Sequence, residues 1–466
     1  MKWAIYNLLF AVVYPFLLPG FLVRMLRRGG YAARFADRFA LYPDGLFAAP
    51  SPEHPKPPNI QPPKHPNPQT TQPPPVWIHA VSVGEVQVAG QLMREWRAVE
   101  PSVRFCFSTT SSTGWKMAER EVGPNDTLIY NPLDFPNFVK SALKTVRPRA
   151  IVLTESEIWP NFIRQAKKCG IPVFLVNARV SDRSAPRYRL ARFFFKDVFS
   201  CFERIFAQSD LDKARLVAAG APADAVVVTG SFKFDVARRN PAKEAELRAW
   251  LAAHGVADDA RILLGGSTWP GEDEVLLGIY KRLLGSQPLV LVLAPRHSEK
   301  ADAVEANIRA FGFSCVRRST SLIPHPQKHP NPQTSKPHPP VFLSDTTGEL
   351  MGLYGIADVV FVGKSLCAHG SQNMIEPCLC GKPTFVGPYT ENFRPVMSDL
   401  LAADAIRQVG DAAELEKGIR EIVELGKDRP GESEAVVAAL GARAQAAVAR
   451  RRGVVARCVA EIRKGL

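Results

Sequence analysis

Short apolar runs recur along this chain at strand length, with a turn and a helix-like stretch between them. That alternation limits the fold more than any other feature. In the first half the runs are Val76–Val81, Val103–Ser108, Leu128–Tyr130, Ala150–Leu153, Val173–Val176, Arg204–Ala207 and Val226–Val228. In the second half they are Arg261–Gly265, Leu289–Ala294, Ser314–Arg317, Val341–Leu343, Val359–Val362 and Thr384–Val386. Helical stretches such as Val86–Val99, Phe135–Thr145 and Lys243–Ala253 lie between them. Strands joined through helices run parallel, and both faces of such a sheet are covered. The expectation is an α/β chain with a doubly wound parallel sheet in each half. A length of 466 residues accommodates two domains of ordinary size.

Two kinds of segment interrupt the pattern. Trp3–Val23 carries no charge, is about 30 Å long as a helix, and is followed by Arg24, Arg27, Arg28, Arg34 and Arg38. Residues 1–28 are therefore expected to anchor the chain to a membrane. They either span it, with the rest on the cytoplasmic side, or lie in its surface, since Pro15, Pro19 and Gly20 weaken a straight span. Residues 50–75 and 324–340 are rich in Pro, His, Lys, Asn and Gln, and both contain Lys-His-Pro-Asn-Pro-Gln-Thr. They read as exposed insertions, one in each half. The expected domains are 29–230, 231–430 and a helical end, 431–466, which could pack back on the first domain; Gly230–Asp235 reads as the linker. A net charge of +14 favours an anionic membrane surface or a polyanion. No zinc-finger spacing, RNP-type strand or recognition-helix pattern points to nucleic acid. The eight cysteines are scattered in apolar contexts and read as reduced, with no metal expected.

Candidate chemistry gathers where strands end. In Ser82-Val83-Gly84-Glu85 a carboxylate sits at a strand-to-helix turn, suited either to general-base work or simply to its own helix dipole. Glu155 and Glu157 follow another strand, with the same two readings. Lys233 could hold a phosphate or carboxylate. In the second half, Gly265–Thr268, Pro295-Arg296-His297, Thr346-Thr347-Gly348-Glu349 and the loop after Phe361–Val362 each follow a strand. Arg296 suits bidentate phosphate contact. In the last loop, backbone N–H groups and the helix beginning near Asn373 are expected to favour a phosphate, with Glu376 able to reach sugar hydroxyls. Arg179, Arg183 and Arg187 begin a basic stretch that runs to Lys196 and encloses Phe193-Phe194-Phe195. It suits an anionic lipid headgroup, or is a solvated helix with its aromatics turned inward.

Taken together, Ser82–Glu85, Glu155–Asn161, Lys233–Asp235, Gly266–Thr268, Ala294–His297, Asp345–Leu350, Phe361–Pro377 and Gly387–Phe393 resemble the 3-deoxy-D-manno-octulosonic acid (Kdo) transferases of lipopolysaccharide synthesis. The segments keep the family's order over nearly the whole chain. The resemblance implies a GT-B fold, two Rossmann-like domains with the active site in the cleft between them. It implies inverting transfer of Kdo from CMP-Kdo to a lipid A precursor, without metal or cofactor, at the cytoplasmic face of the bacterial inner membrane. It makes Glu85 the general base and Glu155 and Lys233 the groups that stabilise the transition state. Ser267, Pro295, Arg296, Thr347, Gly348, Glu349, Asn373, Met374, Ile375 and Glu376 become donor-binding positions. Arg179, Arg183 and Arg187 become candidates for the acceptor. Trp269-Pro270, Lys364 and Gln372 depart from the residues usual in the family. Another GT-B enzyme, such as a nucleotide-sugar epimerase or a different glycosyltransferase, and a non-catalytic membrane-bound lipid-binding protein are the competing readings.

Overall fold

In the computed structural model the described residues are 2–28, 32–47, 73–285, 288–321, 338–428 and 430–466. The two Pro-rich tracts lie outside them, apart from residues 73–75 and 338–340, and the side chains of Arg24, Arg27 and Arg28 are not described either. The chain divides into two units. Unit 1 is Met1–Val236 with Gly453–Leu466, and unit 2 is Ala237–Arg452.

Unit 1 is built on strands β1 (Val76–His79), β2 (Phe105–Thr109), β3 (Thr127–Tyr130), β4 (Ala150–Thr154), β5 (Val173–Ala178), β6 (Arg204–Ala207) and β7 (Val226–Val228). Among the described residues they form one parallel sheet in the order β3-β2-β1-β4-β5-β6-β7. The chain winds outward from β1 to β3, then crosses back and continues from β4. The strand order therefore reverses between β1 and β4, where open α/β sheets take their ligands. Alternate residues explain why no strand reads as amphipathic. Val76, Ile78 and Val152 join one apolar cluster, while Trp77, Ile151 and Leu153 join another on the opposite face.

The last helix, Val454–Lys464, belongs to this unit. Val454, Val455, Cys458, Val459 and Ile462 recur at helical spacing and fill the face shared with Ile78 and Val86. Gly230–Asp235 is folded onto the same face. Phe232 is fully buried there, and the Asp235 carboxylate accepts from Gly453 N at 2.7 Å and Val455 N at 2.8 Å, closing the start of the last helix.

The uncharged N-terminal run forms the helix Lys2–Arg28. Along one stripe it is docked on unit 1. The Tyr6 hydroxyl donates to Asp134 Oδ2 (2.9 Å), Asn161 Nδ2 donates to Asn7 Oδ1 (2.8 Å), Lys2 Nζ reaches Asp197 Oδ2 (3.0 Å), and the Phe10 ring meets Phe135 at 5.0 Å. Ile5, Leu8, Leu9, Val12, Val13 and Phe16 point the other way into solvent, Phe16 being 81% exposed. Among the described residues no helix is long and apolar enough to cross a membrane.

Unit 2 repeats the plan with β8 (Arg261–Thr268), β9 (Leu289–Pro295), β10 (Cys315–Arg317), β11 (Val341–Leu343), β12 (Val359–Val362), β13 (Thr384–Val386) and β14 (Arg407–Gln408). Their order is β10-β11-β9-β8-β12-β13-β14, again parallel throughout. The reversal lies between β8 and β12. β8 runs three residues beyond Gly265 through an irregular register at Gly266–Thr268. Gly363, which follows β12, donates to Gly266 O at 2.9 Å, and a Cβ there would stand 2.3 Å from Ser267 O. Only glycine permits that approach.

Candidate active site

In unit 1 the acids converge because β1, β4 and β5 are neighbours in the sheet. Ser82 caps the helix Val83–Val99, its Oγ accepting from Glu85 N at 3.3 Å. Glu85 turns back over that cap. Its Oε2 accepts from Val81 N (2.8 Å) and its Oε1 from the Ser82 hydroxyl (2.9 Å). Burial raises the Glu85 pKa, and the Glu155 charge adds to the rise, against the lowering effect of those donors. Glu155 is buried at the end of β4. It accepts from Arg179 Nε (2.8 Å) and Asn177 Nδ2 (3.3 Å), both at the end of β5. Asn177 Oδ1 in turn accepts from Phe232 N (3.0 Å), which brings Lys233 to the same edge. Burial lowers the Lys233 pKa, while Glu155 pulls it up and Arg179 presses it down.

Behind this edge stand Glu157 and His79. Glu157 Oε2 accepts from Trp159 Nε1 (2.9 Å) and lies 3.8 Å from His79 Nε2. Burial, then the charges of Glu85 and Glu155, push Glu157 up to about 7. Burial lowers His79 to about 3, so it is neutral, with Nδ1 against Ser108 Oγ at 2.9 Å. Arg179, expected on an acceptor-binding basic surface, pairs with Glu155 and is exposed, as are Arg183 and Arg187. Of the three phenylalanines inside the basic stretch, Phe194 and Phe195 pack on the core and Phe193 is 66% exposed.

In unit 2 the expected donor positions are spread over four strand ends. Arg296 follows β9, with its N–H on Thr268 O (3.1 Å) and its side chain in solvent. Asn373–Glu376 leads into a helix of five residues, Ile375–Leu379. Glu376 Oε1 accepts from Asn373 Nδ2 (2.9 Å); burial raises its pKa, opposed by Asn373 and by the Arg296 charge. Met374 and Ile375 are fully buried. Ser267 is buried at the tip of β8. Thr347 and Gly348 are exposed, whereas Glu349 is buried and held by Arg318 Nε (3.0 and 3.3 Å) and the Thr346 hydroxyl.

The loop after β12 corrects one expectation. Its first backbone N–H groups do not await a phosphate, because Glu272 already holds them. The carboxylate of Glu272, fully buried, accepts from Lys364 N (2.8 Å), Ser365 N (3.0 Å), Leu366 N (3.0 Å) and Cys367 N (3.4 Å), and also from Trp269 N (2.8 Å). Five of the non-glycine residues with positive φ stand at these strand ends: Glu155 (52°), Asn177 (53°), Ser267 (55°), Lys364 (58°) and Ser371 (59°). Such conformations cost energy and cluster where function demands a fixed geometry. Among the described residues no group of three or more His, Cys, Asp or Glu side chains is placed to hold a metal ion.

The arrangement offers a carboxylate with a raised pKa beside a buried acid and a lysine in unit 1, and an arginine near a half-buried acid in unit 2. Residues 34–236 match the family model described as 3-deoxy-D-manno-octulosonic-acid transferase (kdotransferase). The chain is 32% identical to the 3-deoxy-D-manno-octulosonic acid transferase of Haemophilus influenzae over 91% of each chain. It is 35% identical to the protein of that name in Bordetella pertussis, over 72% of this chain and 77% of that one. In fold it is similar to Anabaena HepE solved with UDP, with a TM-score of 0.56 and 13% identity, over 84% of this chain and 99% of that one.

Proposed function

The chain belongs to the Kdo transferases, which are glycosyltransferases, and on that premise we propose that it moves Kdo from CMP-Kdo to a lipid A precursor in lipopolysaccharide synthesis, with inversion and without a metal ion. The observation that carries this reading is the placement of Glu85 and Glu155 at the ends of β1 and β4, the two strands that flank the reversal of the first sheet. An acceptor hydroxyl attacks the anomeric carbon while Glu85 takes its proton. The bond from that carbon to the phosphate oxygen breaks, and CMP leaves as a phosphate monoester. On the donor side Arg296 offsets the charge that develops on it; in unit 1, Lys233 supplies positive charge beside Glu85, and Glu155 holds Lys233 and Arg179 in place. Incubation with CMP-Kdo and a lipid A precursor, followed by mass spectrometry of the lipid, tests the whole scheme. The expected product is heavier by Kdo units; an unchanged lipid overturns the reading, and loss of transfer on chelating divalent ions overturns its metal-free part.

The donor side has its own test. Arg296→Ala removes the phosphate contact and Glu376→Ala the ribose contact, so each weakens CMP binding about ten- to hundred-fold, as expected for charge-assisted hydrogen bonds. Glu85→Ala leaves CMP affinity alone. Calorimetric titration with CMP that finds both donor-side variants at wild-type affinity rejects the placement.

The N-terminal helix supports a lipid acceptor. Its exposed stripe from Ile5 to Phe16, with Leu190 (85% exposed) and Phe193 beside basic residues, suits the surface of an anionic bilayer, here the cytoplasmic face of the inner membrane. The double variant Leu9→Gln/Phe16→Gln touches only exposed positions, so the fold is kept and binding to anionic vesicles falls. Co-sedimentation that is unchanged by the substitutions but abolished by high salt would assign the attachment to charge alone.

A further inference from the structure

We propose that a pocket in unit 2, outside the positions assigned to CMP, binds the polyhydroxylated tail of the transferred sugar; this rests on the donor reading above. The pocket, of about 220 Å³, lies between the ends of β8 and β9 and the helices Glu272–Leu283 and Ala301–Ala310, and is lined in part by Thr268, Trp269, Asp273, Glu274, His297 and Asn307. At ~30 Å³ per water-sized group it has room for several hydroxymethylene units.

Its polar groups are half satisfied. Asn307 Nδ2 donates to Asp273 Oδ2 and to Glu274 Oε1, each at 2.8 Å. Glu274 Oε2 and Trp269 Nε1 are shielded from solvent and have no hydrogen-bond partner among the described residues. Buried polar atoms left so are few in folded proteins and call for a partner. One is an acceptor and the other a donor, and a hydroxyl can serve either. A cationic ligand fits less well, because Lys300 lines the pocket and Lys364 Nζ already sits 4.7 Å from the centre of the Trp269 ring. The indole is held as a wall by that lysine and by the His297 ring, 5.7 Å away and inclined at 70°, while the Trp269 backbone N–H is fixed on the Glu272 carboxylate (2.8 Å). A flat aromatic wall beside a pair of carboxylates suits the C–H face and the hydroxyls of a sugar.

The position agrees. Thr268 pairs with Pro295 across β8 and β9, and Arg296 comes next, so the pocket opens beside the candidate phosphate contact. Glu376 follows β12, on the other side of β8. A phosphate at Arg296 would therefore lie next to the residues that line the pocket, Pro295 and His297.

Trp269→Phe keeps the ring and loses only the N–H; Glu274→Gln keeps the shape and loses the charge. Each is expected to raise the KM for CMP-Kdo about five- to tenfold while the Kd for CMP stays within twofold of wild type, with melting curves confirming the fold. An unchanged KM, or equal weakening of CMP and CMP-Kdo, overturns the proposal. Should the wild type not bind CMP at all, the donor reading fails on its own. The pocket is then judged with free Kdo by saturation-transfer NMR: a signal on the tail protons that Glu274→Gln abolishes supports it, and no signal from the wild type overturns it.

Discussion

Glu85→Gln is expected to lower turnover at least ~10²-fold, the lower range for loss of a general base, with CMP affinity unchanged. The substitution is mild for the fold. The amide oxygen can still accept from Val81 N, and the Ser82 hydroxyl, free to rotate, keeps a partner. Loss of part of a helix cap costs ~1 kcal/mol, which melting curves will check. What disappears is the capacity to take a proton. The sign of the pH dependence follows from the raised pKa of Glu85. A base works only when deprotonated, so wild-type activity should fall on acidification through a pH above the ordinary carboxylate range. The neighbouring Glu157, pushed up to about 7, interacts with the Glu85 charge, so the two carboxyls titrate as a coupled pair. Near-normal turnover by the Gln variant would remove Glu85 from this role.

Glu272→Ala should be the most damaging single change in unit 2, although the residue need touch no substrate. Five backbone N–H groups converge on its carboxylate. Removing it strands those that water cannot reach, Ser365 N foremost, at ~1–3 kcal/mol for each. A loss of ~3–5 kcal/mol is expected, which for a unit of this size lowers its melting temperature by ~10 °C. Because the same loop leads to Asn373 and Glu376, CMP binding should weaken as well. A melting temperature within about 2 °C of wild type would show that the loop holds itself.

The parallel architecture was legible because buried parallel strands are almost uniformly apolar, and every run read as a strand from Val76 to Val386 is one. β14 escaped, since Arg407-Gln408 is a two-residue edge strand with no apolar signal. The apolar run ends at Gly265, yet Ser267 and Thr268 continue β8, because the irregular register there comes from pairing with β9, which local sequence does not show. Glu85 and Glu155 could be picked out because their chemistry follows a strand directly. Glu272 could not: its loop partners lie 92 to 95 residues further on. The same distance effect hid the Arg318–Glu349 pair and the bond that Arg179, an exposed cation, makes to Glu155.

The return of the last helix to unit 1 fixes an order of events at the ribosome. One face of the first sheet stays without the cover of Val454, Val455, Cys458, Val459 and Ile462 until all of unit 2 has been made and Gly453–Leu466 follows it. Unit 2, synthesised in between, can finish folding first. At ~5–20 residues per second the wait is roughly 10–45 s, during which the half-built unit exposes an apolar face to chaperones and to other nascent chains. A stop codon in place of Val454 would therefore make this state permanent. Its expected fate is aggregation or proteolysis during biosynthesis, with the candidate residues of both units still encoded.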